Sequence, residues 1–167
     1  MSQRCIVSDP FRFAAEGRKI SGTVPLLRLN RLADILFRSE GEVTYALSGD
    51  VGVDGKAFLR LEASGVLALQ CQRCLSGLDW PLELESLLHL VTPGTPIPDE
   101  ELEIESFDTI EAVADMDVLA LLEEEILLAM PIVPRHEDCD APHPEGGADK
   151  ESPFAALAGL RKNSGAH

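Results

Sequence analysis

Three apolar-alternating runs separated by two turn signals confine the centre of this 167-residue chain to antiparallel hairpins. The first run spans Glu42 to Val53 and the second Lys56 to Leu69, with Asp54-Gly55 between them. Asp-Gly suits a two-residue turn because its central positions need positive φ. Val43, Tyr45, Leu47 and Gly49 alternate with Thr44, Ala46 and Ser48, while Leu61, Ala63, Gly65 and Leu67 can share one face. The second run ends in Leu69-Gln-Cys71-Gln-Arg-Cys74, and a third run, Leu78 to Val91, returns from it. The two cysteines therefore lie at the tip of a second hairpin. Gly49-x-x-Gly52-x-x-Gly55-Lys56 has the wrong spacing for a phosphate loop, and Ala57 stands where a hydroxyl should bind magnesium.

Around these hairpins the pattern predicts a first strand at 18–24 and a short helix at 30–38 with Leu32, Ile35 and Leu36 on one side. Residues 93–98 read as a loop and 101–106 as a short edge strand with outward acids. The best helix runs from Asp117 to Met130, capped by Asp115 or Asp117 and stopped by Pro131 and Pro134. Val118, Leu119, Leu122, Ile126, Ala129 and Met130 share a broad side, and Glu124 lies opposite. Glu123, Glu124 and Glu125 point three ways around the helix, as solvated or capping charges that cannot converge as an acid–base pair. From Arg135 to Glu151 the composition shifts to Asp, Glu, His, Pro and Gly, a flexible acidic linker. Ser152-Pro153-Phe154 then opens a compact amphipathic helix through Lys162. Alone in water such a helix is marginal, so it must dock on its own domain or on a partner. Phe154, Leu157, Leu160 and Arg161 are the candidate docking residues.

Charge divides the chain unevenly. Residues 1–73 hold ten Lys/Arg against eight Asp/Glu, whereas 74–134 hold fifteen acids and no Lys or Arg. Nucleic-acid phosphates are bound by clustered cations, so the middle third cannot coat RNA. An acidic face of this kind either keeps the protein soluble or meets a basic partner. Direct RNA contact would fall to the cations of the first 73 residues, where few aromatics accompany them. The longest apolar run, 126–133, is far short of the ~20 residues of a membrane span. No apolar leader segment follows Met1. Four cysteines are too few for a secreted disulfide scaffold. These features lead us to expect a cytoplasmic protein with reduced thiols.

Two thiols two residues apart can grip a metal ion or cycle as a disulfide. His136-Glu-Asp-Cys139 supplies a second half-site, so Cys71, Cys74, His136 and Cys139 together offer a closed tetrahedral zinc set. Zinc on such a set contributes on the order of 10 kcal/mol to the folding of small modules. The alternatives are unligated thiols at a hairpin tip, or a redox pair whose thiolate Arg73 favours. No helix is expected to begin at Cys71, as it would in a redox motif, and the histidines form no metalloprotease pattern.

Three blocks resemble the YceD family, the large ribosomal RNA subunit accumulation proteins of bacteria with relatives in plastids. They are Leu69-Gln-Cys71-Gln-Arg-Cys74, Asp115 to His136, and Pro153-Phe-Ala-Ala-Leu-Ala-Gly-Leu-Arg161; Asp9-Pro-Phe-Arg is a weaker fourth. Relatives often carry Asn where this chain has Ser152. The resemblance implies a cytoplasmic, non-enzymatic ribosome-biogenesis factor needed for accumulation or processing of 23S ribosomal RNA. Its partner would be a ribosomal precursor particle; the acidic middle alternatively suits a zinc-stapled adaptor or chaperone for a basic ribosomal protein, with a thiol oxidoreductase as the third reading. The expected fold is α+β: a curved, mostly antiparallel sheet of about five or six strands on one main helix, with a short C-terminal helix on a flexible tail. The single domain spans 1–134, the linker 135–151 and the C-terminal helical segment 152–167.

Overall fold

A computed structural model describes residues 5–96 and 106–142. The elements are β1 (Ile6–Val7), α1 (Pro10–Ala15), β2 (Lys19–Pro25), a 3-10 turn (Leu26–Arg28), α2 (Asn30–Ala33), β3 (Glu42–Val51), β4 (Ala57–Gln70), β5 (Gly77–Val91), β6 (Asp108–Glu111), β7 (Met116–Asp117) and α3 (Val118–Ala129). This is the expected α+β architecture. One open sheet has the order β2-β3-β4-β5-β6, antiparallel except for β5 and β6, and β1 pairs with β7 in a separate ribbon.

Period-two alternation fixes the faces of the sheet. In register, Leu47 meets Leu61 and Leu61 meets Ser86, while Val43, Leu59, Leu67, Leu82 and Leu88 lie on the same fully buried side. Thr44, Arg60, Glu62, Ser64, Glu83 and Glu85 face outward and are exposed. The three helices lie on the apolar side. At Gly49 a Cβ would come within 2.5 Å of the Ala14 Cα, so α1 can lie on β3 only because that residue is glycine. Gly55 takes φ +81° in the first hairpin, as the Asp-Gly turn requires.

α3 begins one residue later and ends one earlier than expected, with the Asp117 carboxylate accepting the amides of Leu119 (2.9 Å) and Ala120 (3.4 Å). Val118, Leu122 and Ile126 are buried at four-residue spacing, whereas Ala129 is exposed. The acidic run of this helix departs from expectation. Glu124 is exposed, yet Glu123 and Glu125 are buried. Glu123 Oε1 accepts the Leu32 amide at 3.0 Å, so it caps the short α2 from 91 positions away. Glu125 sits beside Ser86 on the sheet, and its burial pushes its pKa up.

The helix expected at 30–38 stops at Ala33. Beyond it the Phe37 amide donates to the Ala68 carbonyl at 2.7 Å and Arg38 bridges Ala68, so the end of β4 draws the chain out of the helix. α1, β6 and the β1–β7 ribbon were not expected. α1 has a readable signal: Asp9 accepts the Arg12 amide at 3.0 Å as N-cap, and Pro10 fills the first helical position. The edge strand expected at 101–106 lies outside the described residues except for Ser106, which is in a turn, and the C-terminal helix lies wholly outside them.

Candidate metal centre

β4 ends at Gln70 and β5 begins at Gly77, leaving Cys71–Ser76 as the turn between two long paired strands. Inside it the Cys71 amide donates to Ser76 O and the Leu75 amide to Cys71 O, both at 2.9 Å. Leu75 closes the loop at φ +64°, a left-handed conformation costing a leucine about 1 kcal/mol. Its side chain is 54% exposed.

The second half of the centre comes from the chain beyond α3. Pro131 cannot continue the helix, having no amide to donate. Residues 131–142 then hold neither helix nor strand. They are nonetheless tied to the turn at several points. The Gln72 amide donates to Pro134 O at 2.9 Å and its side-chain amide to Ile132 O at 3.3 Å. The Arg73 guanidinium donates to Cys139 O at 3.0 Å.

These ties bring Cys71, Cys74, His136 and Cys139 together, so that one ligand atom from each lies within 4.8 Å of the others. Cys71 Sγ is 3.7 Å from Cys139 Sγ, and Cys74 Sγ is 3.4 Å from His136 Nδ1. Those two separations match edges of a tetrahedron around a metal ion. With Zn–S about 2.3 Å and Zn–N about 2.05 Å, a regular tetrahedron has S–S edges of about 3.75 Å and S–N edges of about 3.55 Å. The thiols are not disulfide-bonded, and 3.7 Å is far beyond a bond of about 2.05 Å. The four residues named from the sequence are thus one cluster. The docking residues Phe154, Leu157, Leu160 and Arg161 lie outside the described residues.

The surroundings favour thiolate at the buried corner. The Cys71 thiol is drawn down to about 5, chiefly because the Cys74 amide points at its sulfur. Burial opposes that, and the amides of His136 (3.5 Å) and Arg73 add to it. Cys74 is lowered chiefly by the Ser76 hydroxyl, 2.9 Å from its sulfur. Cys139 moves the other way, to about 11, first from burial and then from the neighbouring sulfurs of Cys71 and Cys74. His136 is raised by Cys71 and Cys74. With Cys71 and Cys74 drawn toward thiolate, the cluster offers the sulfur and imidazole donors that a divalent ion such as zinc takes.

Residues 59–161 match the family described as "Large ribosomal RNA subunit accumulation protein YceD". This chain belongs to the YceD family. A curated relative, the large ribosomal RNA subunit accumulation protein YceD of Haemophilus influenzae (strain ATCC 51907 / DSM 11121 / KW20 / Rd), is 27% identical over 169 residues, covering 92% of this chain and 94% of that protein. No solved structure matches. The family match begins in β4 and runs through the Cys71–Ser76 turn, α3 and the second half-site into the C-terminal segment. The YceD-type residues recognised in the sequence at 69–74 and 115–136 meet in space where Gln72 bonds Ile132 and Pro134 and Cys71 and Cys74 face His136. Among the described residues no helix is long and apolar enough to cross a membrane.

Proposed function

We propose that this YceD-family chain is a non-enzymatic, cytoplasmic ribosome-biogenesis factor that supports accumulation or processing of 23S ribosomal RNA through protein contacts. The observation that carries the reading is the extent of the family match, from residue 59 to residue 161, which takes in most of β4, β5 and β6, the four clustered ligands, α3 and the C-terminal segment. In this reading Phe154, Leu157, Leu160 and Arg161 dock on a ribosomal precursor particle, and the Cys3His set holds a structural zinc ion. A recess of 580 Å³ opens on the outer face of the sheet. It is lined by Lys19, Ser21, Thr44, Glu62, Ser64, Glu83 and Glu85 among others.

A second reading is an acidic adaptor that shields a basic ribosomal protein. The observation favouring it is the absence of any Lys or Arg from 74–134, where the exposed acids include Glu83 and Glu85 of β5. The test is gradient sedimentation of cell extract, following the full chain and a chain ending at 151. Co-migration with large-subunit precursors that needs residues 152–167 is the expected result. A protein confined to the light fractions with a free basic partner moves the assignment to the adaptor. Normal 23S levels in cells lacking the protein overturn both readings.

A further inference from the structure

We propose that the metal centre is a clasp, in which Sγ of Cys71, Cys74 and Cys139 and Nδ1 of His136 close on one zinc ion that fixes residues 131–142 to the β4–β5 turn and leaves the sheet to hold itself. The inference rests on the structural-zinc reading above and adds its ligand atoms and the segment it controls.

The choice of nitrogen follows from a hydrogen bond. His136 Nε2 lies 3.2 Å from the carbonyl oxygen of Gly77, the first residue of β5. A carbonyl only accepts, so Nε2 carries the proton and donates, which leaves the Nδ1 lone pair aimed at the three sulfurs. Nδ1 is also the ring atom that lies 3.4 Å from Cys74 Sγ. With four protein ligands the coordination sphere is closed, and no position remains for water or substrate. The ion is therefore structural.

What it holds follows from where the other bonds are. Residues 131–142 have no helix or strand, and the hydrogen bonds and sulfur contacts of Ile132, Pro134, His136 and Cys139 run to Cys71, Gln72, Arg73, Cys74 and Gly77. The main apolar cluster lies apart from the ligands, although Cys71 is itself fully buried. The cluster joins Leu47, Leu61, Leu82, Leu88, Leu122 and Ile126, and none of the four ligands is part of it. Losing the ion should free residues 131–142 from the turn.

The full chain, purified without chelator, is analysed for zinc, reloaded with Co²⁺ and followed by hydrogen exchange with and without metal. One equivalent is expected, with thiolate-to-cobalt charge transfer and tetrahedral ligand-field bands. Cys139→Ser should lose about a third of the charge-transfer intensity and bind cobalt at least roughly tenfold more weakly. His136→Cys should keep one equivalent and move the ligand-field bands toward an all-sulfur set. Removing the metal should speed exchange at the amides of Gln72, Leu75 and His136 by roughly tenfold or more, with those of Leu61 and Leu84 unchanged. Less than a tenth of an equivalent of either metal, or unaltered cobalt binding by Cys139→Ser, overturns the proposal. So does loss of protection in β4 and β5 together with the turn. A zinc-free chain that still co-sediments with precursors sinks the clasp alone, whereas a zinc-loaded chain without effect on 23S RNA sinks the functional reading alone.

Discussion

The two ends of β4 and β5 are organised by different physics. Toward Leu59 and Leu88 the pair is covered on one face by leucines of its own and by helix α3, and apolar area removed from water holds it together. Toward Gln70 and Gly77 the same strands lead into a turn whose neighbours are three sulfurs, an imidazole and an irregular segment. Burying a leucine contributes about 2 kcal/mol without any ligand. In the clasp proposed above, the other end gains most of its stability from the ion that three thiols and a histidine would hold. On that reading one end stands on its own and the other depends on metal.

The sharpest way to break that contrast is Leu61→Ala, which empties a fully buried site at the middle of the sheet. It should cost about 2–5 kcal/mol in urea denaturation, while metal stoichiometry below the transition stays unchanged. A parallel loss of metal would mean that the two ends are one cooperative unit. Asp117→Ala removes two hydrogen bonds at the start of α3 and should cost about 1 kcal/mol. Native-state exchange should place that loss in the helix and core and spare the Cys71–Ser76 turn.

Glu125→Gln probes the apolar end by pH. Burial raises the folded pKa of Glu125 above its unfolded value, so the carboxyl lowers stability at neutral pH and ceases to do so once it is protonated. The variant should melt a few degrees higher at pH 7, with the gain vanishing as pH falls below the unfolded value. A gain independent of pH would show that charge is not the cause. The weakest signal belongs to the thiols of the metal-free protein. Thiolate absorbance should rise in separate steps, with Cys71 near pH 5 and Cys139 near pH 11. The stability Cys71 lends is present above its unfolded value and lost as pH falls toward about 5. For Cys139 the stability is present below the unfolded value and lost as pH rises through about 11. Cys71→Ser should remove the lower step.

How much of this was legible depended on how far apart the cooperating residues are. Both hairpins, the position of Cys71 and Cys74 at a tip, and α3 with its Asp117 cap rest on neighbours in sequence, and each could be read from periodicity and turn chemistry. α1 could have been read from Asp9-Pro10. β6 could not: four residues, Asp108 to Glu111, become a strand only because β5 offers an edge to pair with. The same holds for α2, which ends early because Ala68 takes the Phe37 amide.

The sequence by itself determined the alternation that makes one face of the sheet apolar, the two hairpin turns, and which residue types are able to hold a metal. Those are local properties, set by a side-chain period of two and by the φ a turn demands. Only the tertiary structure decided that His136 comes within 3.4 Å of a cysteine 62 positions away. It alone decided that Glu123 and Glu125 turn inward and that the irregular chain after α3 folds back on the β4–β5 turn. Each depends on packing and hydrogen bonds between distant segments, and short-range periodicity carries no record of them.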